Sequence, residues 1–237
     1  NVSDGNLDFP DTWSVWTECA DNAIFPQGGT WVYDRAGWCP GAPSDVREFD
    51  VTQYFAAFQN PIVDYTVPVA SGDSRYIVNS QLVKYGKLNK TLDVAIDDVI
   101  YPSTKVEHTR FNPSCQSPKI SIKNHGSTLI ESAIIKYGIV GQVEKTFNWT
   151  GNLSFNATQE ITLGFLPALA ASVDGDMFFA SIFSVNGQSD DFPSNDEYTT
   201  EIQLPEYYEG DVVFEFRTNN RPLETSYRVF SIGGDQL

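Results

Sequence analysis

The sequence has few of the side chains that bind transition metals. Three cysteines, two histidines and one methionine occur in 237 residues, and no two cysteines have Cys-x-x-Cys spacing. A zinc or copper centre built on histidine needs three or more converging nitrogen or sulfur ligands. Motifs of serine hydrolases, zinc peptidases, P-loop proteins and dinucleotide-binding proteins are also absent. The sequence therefore predicts no zinc or copper centre, no cofactor and no catalytic set within this chain.

Positive charge is also scarce. Lys and Arg total 15 against 31 Asp and Glu, which gives a net charge of −16. So acidic a chain repels nucleic-acid phosphates and anionic membrane surfaces, and no apolar run approaches the roughly 20 residues that span a bilayer. We expect neither nucleic acid as a partner nor a membrane span. Because the sequence opens with neither Met nor a leader, we also expect it to be a fragment of a larger product.

Apolar residues alternate with polar ones, and helical periodicity is nearly absent. The alternation runs through residues 76–82, 91–97, 119–123, 146–150 and 212–217. Turn-forming clusters at residues 124–126, 150–152 and 185–187 separate these runs. Aromatic residues make up 14% of the chain, which suits half-buried pleated surfaces. The predicted fold class is all-β.

A segment with two prolines and no periodicity divides the chain. Residues 104–118 have few core-type side chains, so we interpret them as a linker between domains. The predicted organisation is a first domain over residues 1–110 and an immunoglobulin-like sandwich over residues 111–205. Residues 206–237 either add strands to the sandwich or begin a further β-module.

The three cysteines bear on the cellular compartment. A bridge between Cys19 and Cys39 would close a loop of about 20 residues and stabilise the fold by roughly 3 kcal/mol. The alternative is two buried free thiols in a cytosolic protein. The many Gly and Pro residues between them favour the bridge, and a disulfide implies an oxidising, extracytoplasmic location. If Cys19 and Cys39 pair, Cys115 has no cysteine partner in this sequence.

Two groups of polar residues have both a functional and a structural interpretation. The carboxylates of residues 190–197 could hold calcium, although their spacing is not that of an EF-hand and a charge run is usually a solvated loop. Asp93 and Asp97 are expected on the solvent face of one strand. His125, between Asn124 and Gly126, is expected to be a solvated turn residue rather than a general base.

Aromatic residues crowd into the N-terminal region. They are Trp13, Trp16, Trp31, Tyr33 and Trp38. Beside Arg35, such rings could stack on sugar rings while the guanidinium binds hydroxyl groups. Packing around a disulfide-bonded loop explains them equally well.

Three motifs in this region resemble the second jelly roll of the peptide-N-glycosidase F family. They are Glu-Cys-Ala-Asp-Asn at residues 18–22, Pro-Gln-Gly-Gly-Thr-Trp at 26–31 and Asp-Arg-Ala-Gly-Trp-Cys-Pro-Gly at 34–41. The resemblance covers residues 13–104 and implies half of a jelly roll. It also implies that Cys19 and Cys39 are the family's disulfide pair and that Arg35 and Trp38 face the substrate cleft. The family's essential carboxylates lie upstream of the matched region, so they are not expected in this chain.

Later segments resemble modules of bacterial surface proteins. Residues 115–126 and 184–187 are similar to CARDB-type immunoglobulin-like modules, and residues 218–227 resemble the start of a further β-module of secreted Bacteroidota proteins. Such an order of modules is similar to large proteins that the type IX system exports. The resemblance implies a secreted or cell-surface location.

Three functions fit this sequence. The first is a glycan-binding or adhesive module of a large surface protein, without catalysis of its own. The second is part of an active N-glycan amidase whose catalytic carboxylates lie upstream. The third is a structural or export-complex component that contacts only protein. The expected partners are accordingly a glycan or glycoprotein, other domains of a longer chain, and export-machinery or surface proteins.

Overall fold

The structure is a computed structural model that describes residues 2–3, 47–57, 62–66, 77–113, 116–206, 208–211, 213, 215 and 226–229. Within these residues it contains nine β-strands, one six-residue α-helix and three short 3-10 helices, so the all-β prediction is confirmed. The chain divides into two compact units. The first consists of residues 1–22 and 27–85, and the second of residues 23–26 and 86–237.

The first unit is described only in short segments. Strand β1 (Val2–Ser3) pairs antiparallel with β2 (Ile62–Val63), and the helix α1 spans Thr52–Ala57. The strand predicted at residues 76–82 is not found over residues 77–82, where Ile77 is 81% exposed. The alternation of apolar and polar residues does not produce a strand there, because a stable strand also needs an apolar face that packs against other residues. The jelly-roll half stays a prediction.

The second unit is a sandwich of two antiparallel sheets. Its seven strands are β3 (Val94–Tyr101), β4 (Lys119–Asn124), β5 (Ile130–Ile139), β6 (Lys145–Leu153), β7 (Thr158–Thr162), β8 (Met177–Val185) and β9 (Glu197–Glu201). One sheet has the order β3-β4-β7 and the other β6-β5-β8-β9. Short 3-10 helices occur at Val106–His108, Pro167–Ala171 and Pro193–Asn195. Seven strands in two sheets is the strand number of an immunoglobulin-like sandwich.

The core lies between the two sheets. Strand β4 turns Ile120 and Ile122 inward, and β5 and β8 meet them with Ile135 and Phe178; all four side chains are fully buried. This is the alternation of inward and outward residues that a two-sheet core requires. Among the described residues, no helix is both long enough and apolar enough to cross a membrane.

The segment predicted as a linker lies inside this unit. Strand β3, before it, pairs along its length with β4, after it, from Val94 opposite Asn124 to Tyr101 opposite Lys119. Residues 104–118 therefore connect two neighbouring strands of one sheet, and the division between units falls instead between Tyr85 and Gly86. Proline and the lack of periodicity identified the loop correctly but did not distinguish a strand connection from a domain linker.

Two of the predicted turns have different outcomes. Asn186 and Gly187 have positive φ angles of 48° and 74° and form the hairpin turn expected of an Asn-Gly pair. Residues 150–152 instead lie within strand β6. Gly151 is required there because the ring of Trp149 covers it: a Cβ at Gly151 would be 2.4 Å from Cζ2 of that ring.

The chain joins and leaves the sandwich at opposite ends. Residues just before β3 contact the turn after β4, since the N–H of His125 donates to the carbonyl of Asp93 (2.8 Å). After β9, the N–H of Ile202 donates to the carbonyl of Asp176, which directly precedes β8 (2.8 Å). Between these N-terminal and C-terminal ends runs β5, whose ten residues span about 33 Å.

Candidate functional site

The most unusual group of side chains is a set of aspartates at the N-terminal end of the sandwich. Asp93 directly precedes β3, while Asp190, Asp191 and Asp196 lie on the connection between β8 and β9. Asn195 ends the 3-10 helix within that connection. We call these five residues the aspartate cluster.

Carboxylates of the cluster join the two sheets. Oδ2 of Asp191 accepts hydrogen bonds from the N–H groups of Thr91 (2.8 Å) and Leu92 (2.9 Å). Oδ2 of Asp190 accepts one from the N–H of Val94 (2.7 Å), the first residue of β3. Hydrogen bonds to an ionised acceptor are stronger than those between neutral groups. The β8–β9 connection therefore holds the start of β3, the first strand of the sandwich, in place.

The interior of the aspartate cluster is buried and has fewer hydrogen-bond donors than acceptors. Asp93 is only 4% exposed, and its Oδ1 accepts a hydrogen bond from Nδ2 of Asn195 (2.9 Å). The prediction that Asp93 faces solvent is wrong because the β8–β9 connection covers it; Asp97 is exposed as predicted. Oδ1 of Asn195 and Oδ1 of Asp196 are buried and have no hydrogen-bond partner within the described residues.

Burial and like charge move the pKa values of these aspartates apart. Burial, reinforced by the charges of Asp190 and Asp93, raises the pKa of Asp196 to about 7. Burial also raises the pKa of Asp190, although the backbone N–H groups of Val94 and Phe192 oppose this. The N–H groups of Leu92 and Thr91 lower the pKa of Asp191. Near neutral pH the cluster can therefore bind and release a proton at Asp196.

The calcium interpretation of residues 190–197 receives no support from this geometry. In the part of the chain that the structure describes, no group of three or more His, Cys, Asp or Glu side chains is arranged to hold a metal ion. What the cluster does in this structure is to anchor the β8–β9 connection to the start of β3.

A second charged group lies where β3 approaches β9. Asp98 accepts hydrogen bonds from Nζ of Lys105 (2.6 Å) and Nε2 of His108 (2.8 Å), and the Lys105 ammonium lies 4.9 Å from the ring centroid of Tyr198. Burial raises the pKa of Asp98, but the bonds from His108 and Lys105 outweigh it, so this pKa lies below its usual value. Asp98 thus links Lys105 and His108, which both lie beyond the end of β3, back to that strand.

The sequence analysis did not identify this network. Asp98 and His108 are ten residues apart, and Asp98 is placed by an irregularity in the pairing of β3 with β4 between Ile96 and Asp98. Such a bulge inserts one extra residue and turns the next side chain to the other face. The Asp97-Asp98 pair within an apolar run is the one signal in the sequence that could have indicated it.

The predicted binding residues lie outside the described residues. This applies to Arg35 and Trp38, to Cys19 and Cys39, and to Cys115. Their roles, and the disulfide, stay predictions. His125 is an exposed turn residue, as predicted.

Comparisons with known proteins show no family for this chain. No profile of a protein family matches it, and no characterised protein sequence matches it significantly. One similar solved structure is the NMR structure of a domain (residues 272–376) named for a cell surface protein of Methanosarcina acetivorans. It is 14% identical, covers 51% of this chain and 97% of that domain, and has a TM-score of 0.38. At that TM-score the similarity carries no argument about this chain.

Proposed function

We propose that this chain belongs to an extracytoplasmic surface protein and that its sandwich is a spacer that positions neighbouring modules. The observation that carries the proposal is the placement of the two chain connections at opposite ends of the sandwich, about 33 Å apart along β5. A module whose chain enters and leaves at opposite ends adds its own length to the distance between its neighbours. A module with adjacent termini adds little to that distance.

The aspartate cluster supports this role. A spacer must keep its first strand in place when the chain before it is displaced. Here the N–H groups of Thr91, Leu92 and Val94 are held by Asp191 and Asp190 from the other sheet. The connection into the sandwich is thus fixed by bonds between sheets as well as by pairing within one sheet.

Glycan binding by the N-terminal unit is the finer part of the proposal. It depends on the resemblance of residues 13–104 to the peptide-N-glycosidase F family, with Arg35 and Trp38 in contact with the sugar. On this view the chain binds a glycan or glycoprotein but does not hydrolyse it, because the matched region does not include the positions of the family's essential carboxylates. The partners are then the glycan, other domains of a longer chain, and export-machinery or surface proteins.

The experiment is to incubate the full-length protein that contains this chain with a denatured N-glycosylated protein and to measure both glycan release and binding. We expect binding without release, and loss of binding in Trp38→Ala. Phe183→Ala is the control, because it removes an exposed aromatic ring of the sandwich outside the region of resemblance. Release of glycan would instead support the amidase function. If neither release nor binding is observed, the glycan-binding function is contradicted and the purely structural function remains.

A further inference from the structure

The sandwich contains four Asn-x-Ser/Thr motifs that the spacer function does not use. They begin at Asn89, Asn148, Asn152 and Asn156. This motif is the acceptor for N-linked glycans, which are attached to surface positions of secreted proteins. Three of the four lie on strand β6 or in the turn after it. Because so short a motif also occurs by chance, the surroundings of each asparagine decide whether it is a good acceptor.

Strand β6 presents two of these motifs on its outer face. Its buried side chains Trp149 and Leu153 point into the core, so the residues with even numbers point away from it. The even-numbered residues are exposed, namely Asn148, Thr150, Asn152 and, directly after the strand, Ser154. Residues two apart on a strand share a face and lie about 7 Å apart. The amide and the hydroxyl group of each motif are therefore accessible from the same side.

The side-chain amides of the sandwich differ in whether the fold uses them. Four asparagines outside these motifs all donate a hydrogen bond from Nδ2, namely Asn112, Asn124, Asn186 and Asn195. Within the described residues, the amides of Asn148 and Asn152 have no hydrogen-bond partner. Their Nδ2 atoms are thus available for modification without loss of a contact in the fold.

The other two motifs are held more closely by the fold. In the motif that begins at Asn89, the N–H of Thr91 donates to Oδ2 of Asp191 (2.8 Å), which fixes this motif against the aspartate cluster. Asn156 is half-buried, has a φ angle of 62° and donates its N–H to the carbonyl of Asn124 (2.8 Å). The motifs on β6 are therefore the more accessible pair.

We propose that Asn148 and Asn152 are sites of N-linked glycosylation. In the transfer, Nδ2 forms a bond to C1 of a sugar that a lipid-linked phosphate donor supplies. The bond from C1 to the phosphate oxygen breaks, the phosphate leaves with the electron pair, and the amide loses one proton. The proposal goes beyond the spacer function but rests on its extracytoplasmic location, because N-linked glycans belong to secreted proteins.

Glycans at these two positions would shield one edge of the sandwich. Within the described residues, β6 is the edge strand of its sheet and pairs with β5. The unpaired backbone groups of an edge strand can pair with another chain. Two bulky, hydrophilic glycans on this strand would hinder such pairing sterically. The modification would thus keep neighbouring copies of the protein apart.

The test is mass spectrometry of the protein isolated from the organism that makes it. Cleavage after Glu144 and Glu160 gives a peptide of residues 145–160, which contains both sites. We expect its mass to exceed that of the unmodified peptide by two glycans. Fragmentation of the peptide assigns each glycan to its residue.

Variants produced in the same organism test the role of the motif. Thr150→Ala should lose the glycan on Asn148 although that asparagine is still present, and Ser154→Ala should lose the glycan on Asn152. Thr146→Ala is the matched control and should keep both glycans. Thr146 is exposed on the same face of β6 and belongs to no motif.

An unmodified peptide 145–160 would overturn the proposal. So would added mass that persists when Asn148→Gln and Asn152→Gln are combined, since the sugar would then be on other residues. Fractionation of the same cells distinguishes this failure from that of the proposed function. Unmodified protein outside the cytoplasm would contradict glycosylation alone, whereas unmodified protein in the cytoplasm would also contradict the extracytoplasmic location.

Discussion

At the residue scale, Asp196 is the side chain whose charge has the clearest consequence near neutral pH. Its pKa is raised from 3.8 to about 7 by burial and by the charges of Asp190 and Asp93. Between these two values the folded chain binds more protons than the unfolded chain. The contribution of Asp196 to the free energy of unfolding therefore falls as pH rises from about 4 to 7, and it stays low above pH 7.

We predict that Asp196→Asn stabilises the protein at pH 8. The amide removes the charge that Asp190 and Asp93 repel, and a neutral side chain loses less on burial than a carboxylate does. Allowing for solvent screening at this half-buried position, the gain should be about 1–2 kcal/mol at pH 8 and smaller at pH 5. Urea denaturation at both pH values measures it. Glu201→Gln, which changes an exposed carboxylate at the other end of β9, is the control, and an equal effect of Asp196→Asn at both pH values would contradict the account.

Asn124 illustrates a buried polar side chain whose hydrogen bonds are complete. Its Nδ2 donates to the carbonyls of Thr128 (2.9 Å) and Leu153 (2.8 Å), and its Oδ1 accepts from the N–H of Gly126 (2.9 Å). The side chain is fully buried. It joins β4 to β6 in the other sheet.

We therefore predict that Asn124→Asp destabilises the fold by about 3 kcal/mol at pH 7. The carboxylate places negative charge against two carbonyl oxygens and loses both donors. The midpoint of urea unfolding measures the loss. Asn152→Asp makes the same chemical change at an exposed position of β6, and a comparable loss in both variants would show that the buried hydrogen bonds are not the cause.

At the element scale, strand β6 depends on a residue that sequence patterns associate with turns. Gly151 lies beneath the buried ring of Trp149, and a Cβ there would be 2.4 Å from Cζ2 and 3.0 Å from Cη2. We predict that Gly151→Ala destabilises the fold by about 1–3 kcal/mol, because the ring or the strand must move. Thermal unfolding checks this against Gly86→Ala, whose Cβ would meet nothing within 4 Å. A melting temperature unchanged by Gly151→Ala would mean that the ring can move without cost.

The elements also show how far a sequence determines this fold. Alternation correctly predicted strands at 119–123 and 146–150 because those runs bury a full face. It failed at residues 77–82, where there is no face to bury, and at Asp93, whose burial depends on residues about 100 positions later. The aspartate cluster could be found only as a charge run, since its hydrogen bonds join segments that are distant in sequence. The predicted binding residues Arg35 and Trp38 lie outside the described residues and stay predictions.

At the scale of the whole molecule, the proposal depends on residues 86–204 acting as one unit between their two ends. Contacts between β3 and β4 place the segment before residue 104 in the same sandwich as the strands after residue 118. The aspartate cluster ties that segment to the other sheet. We therefore expect these 119 residues to unfold cooperatively.

The most direct measurement is to pull the chain between residues 86 and 204 in a single-molecule force experiment. A spacer loaded at opposite ends should unfold in one event that lengthens the chain by roughly 370 Å, which is the extended length of these residues less the folded span. Two separate events, or one much shorter extension, would show that residues 86–118 are a linker to the sandwich and would contradict the account.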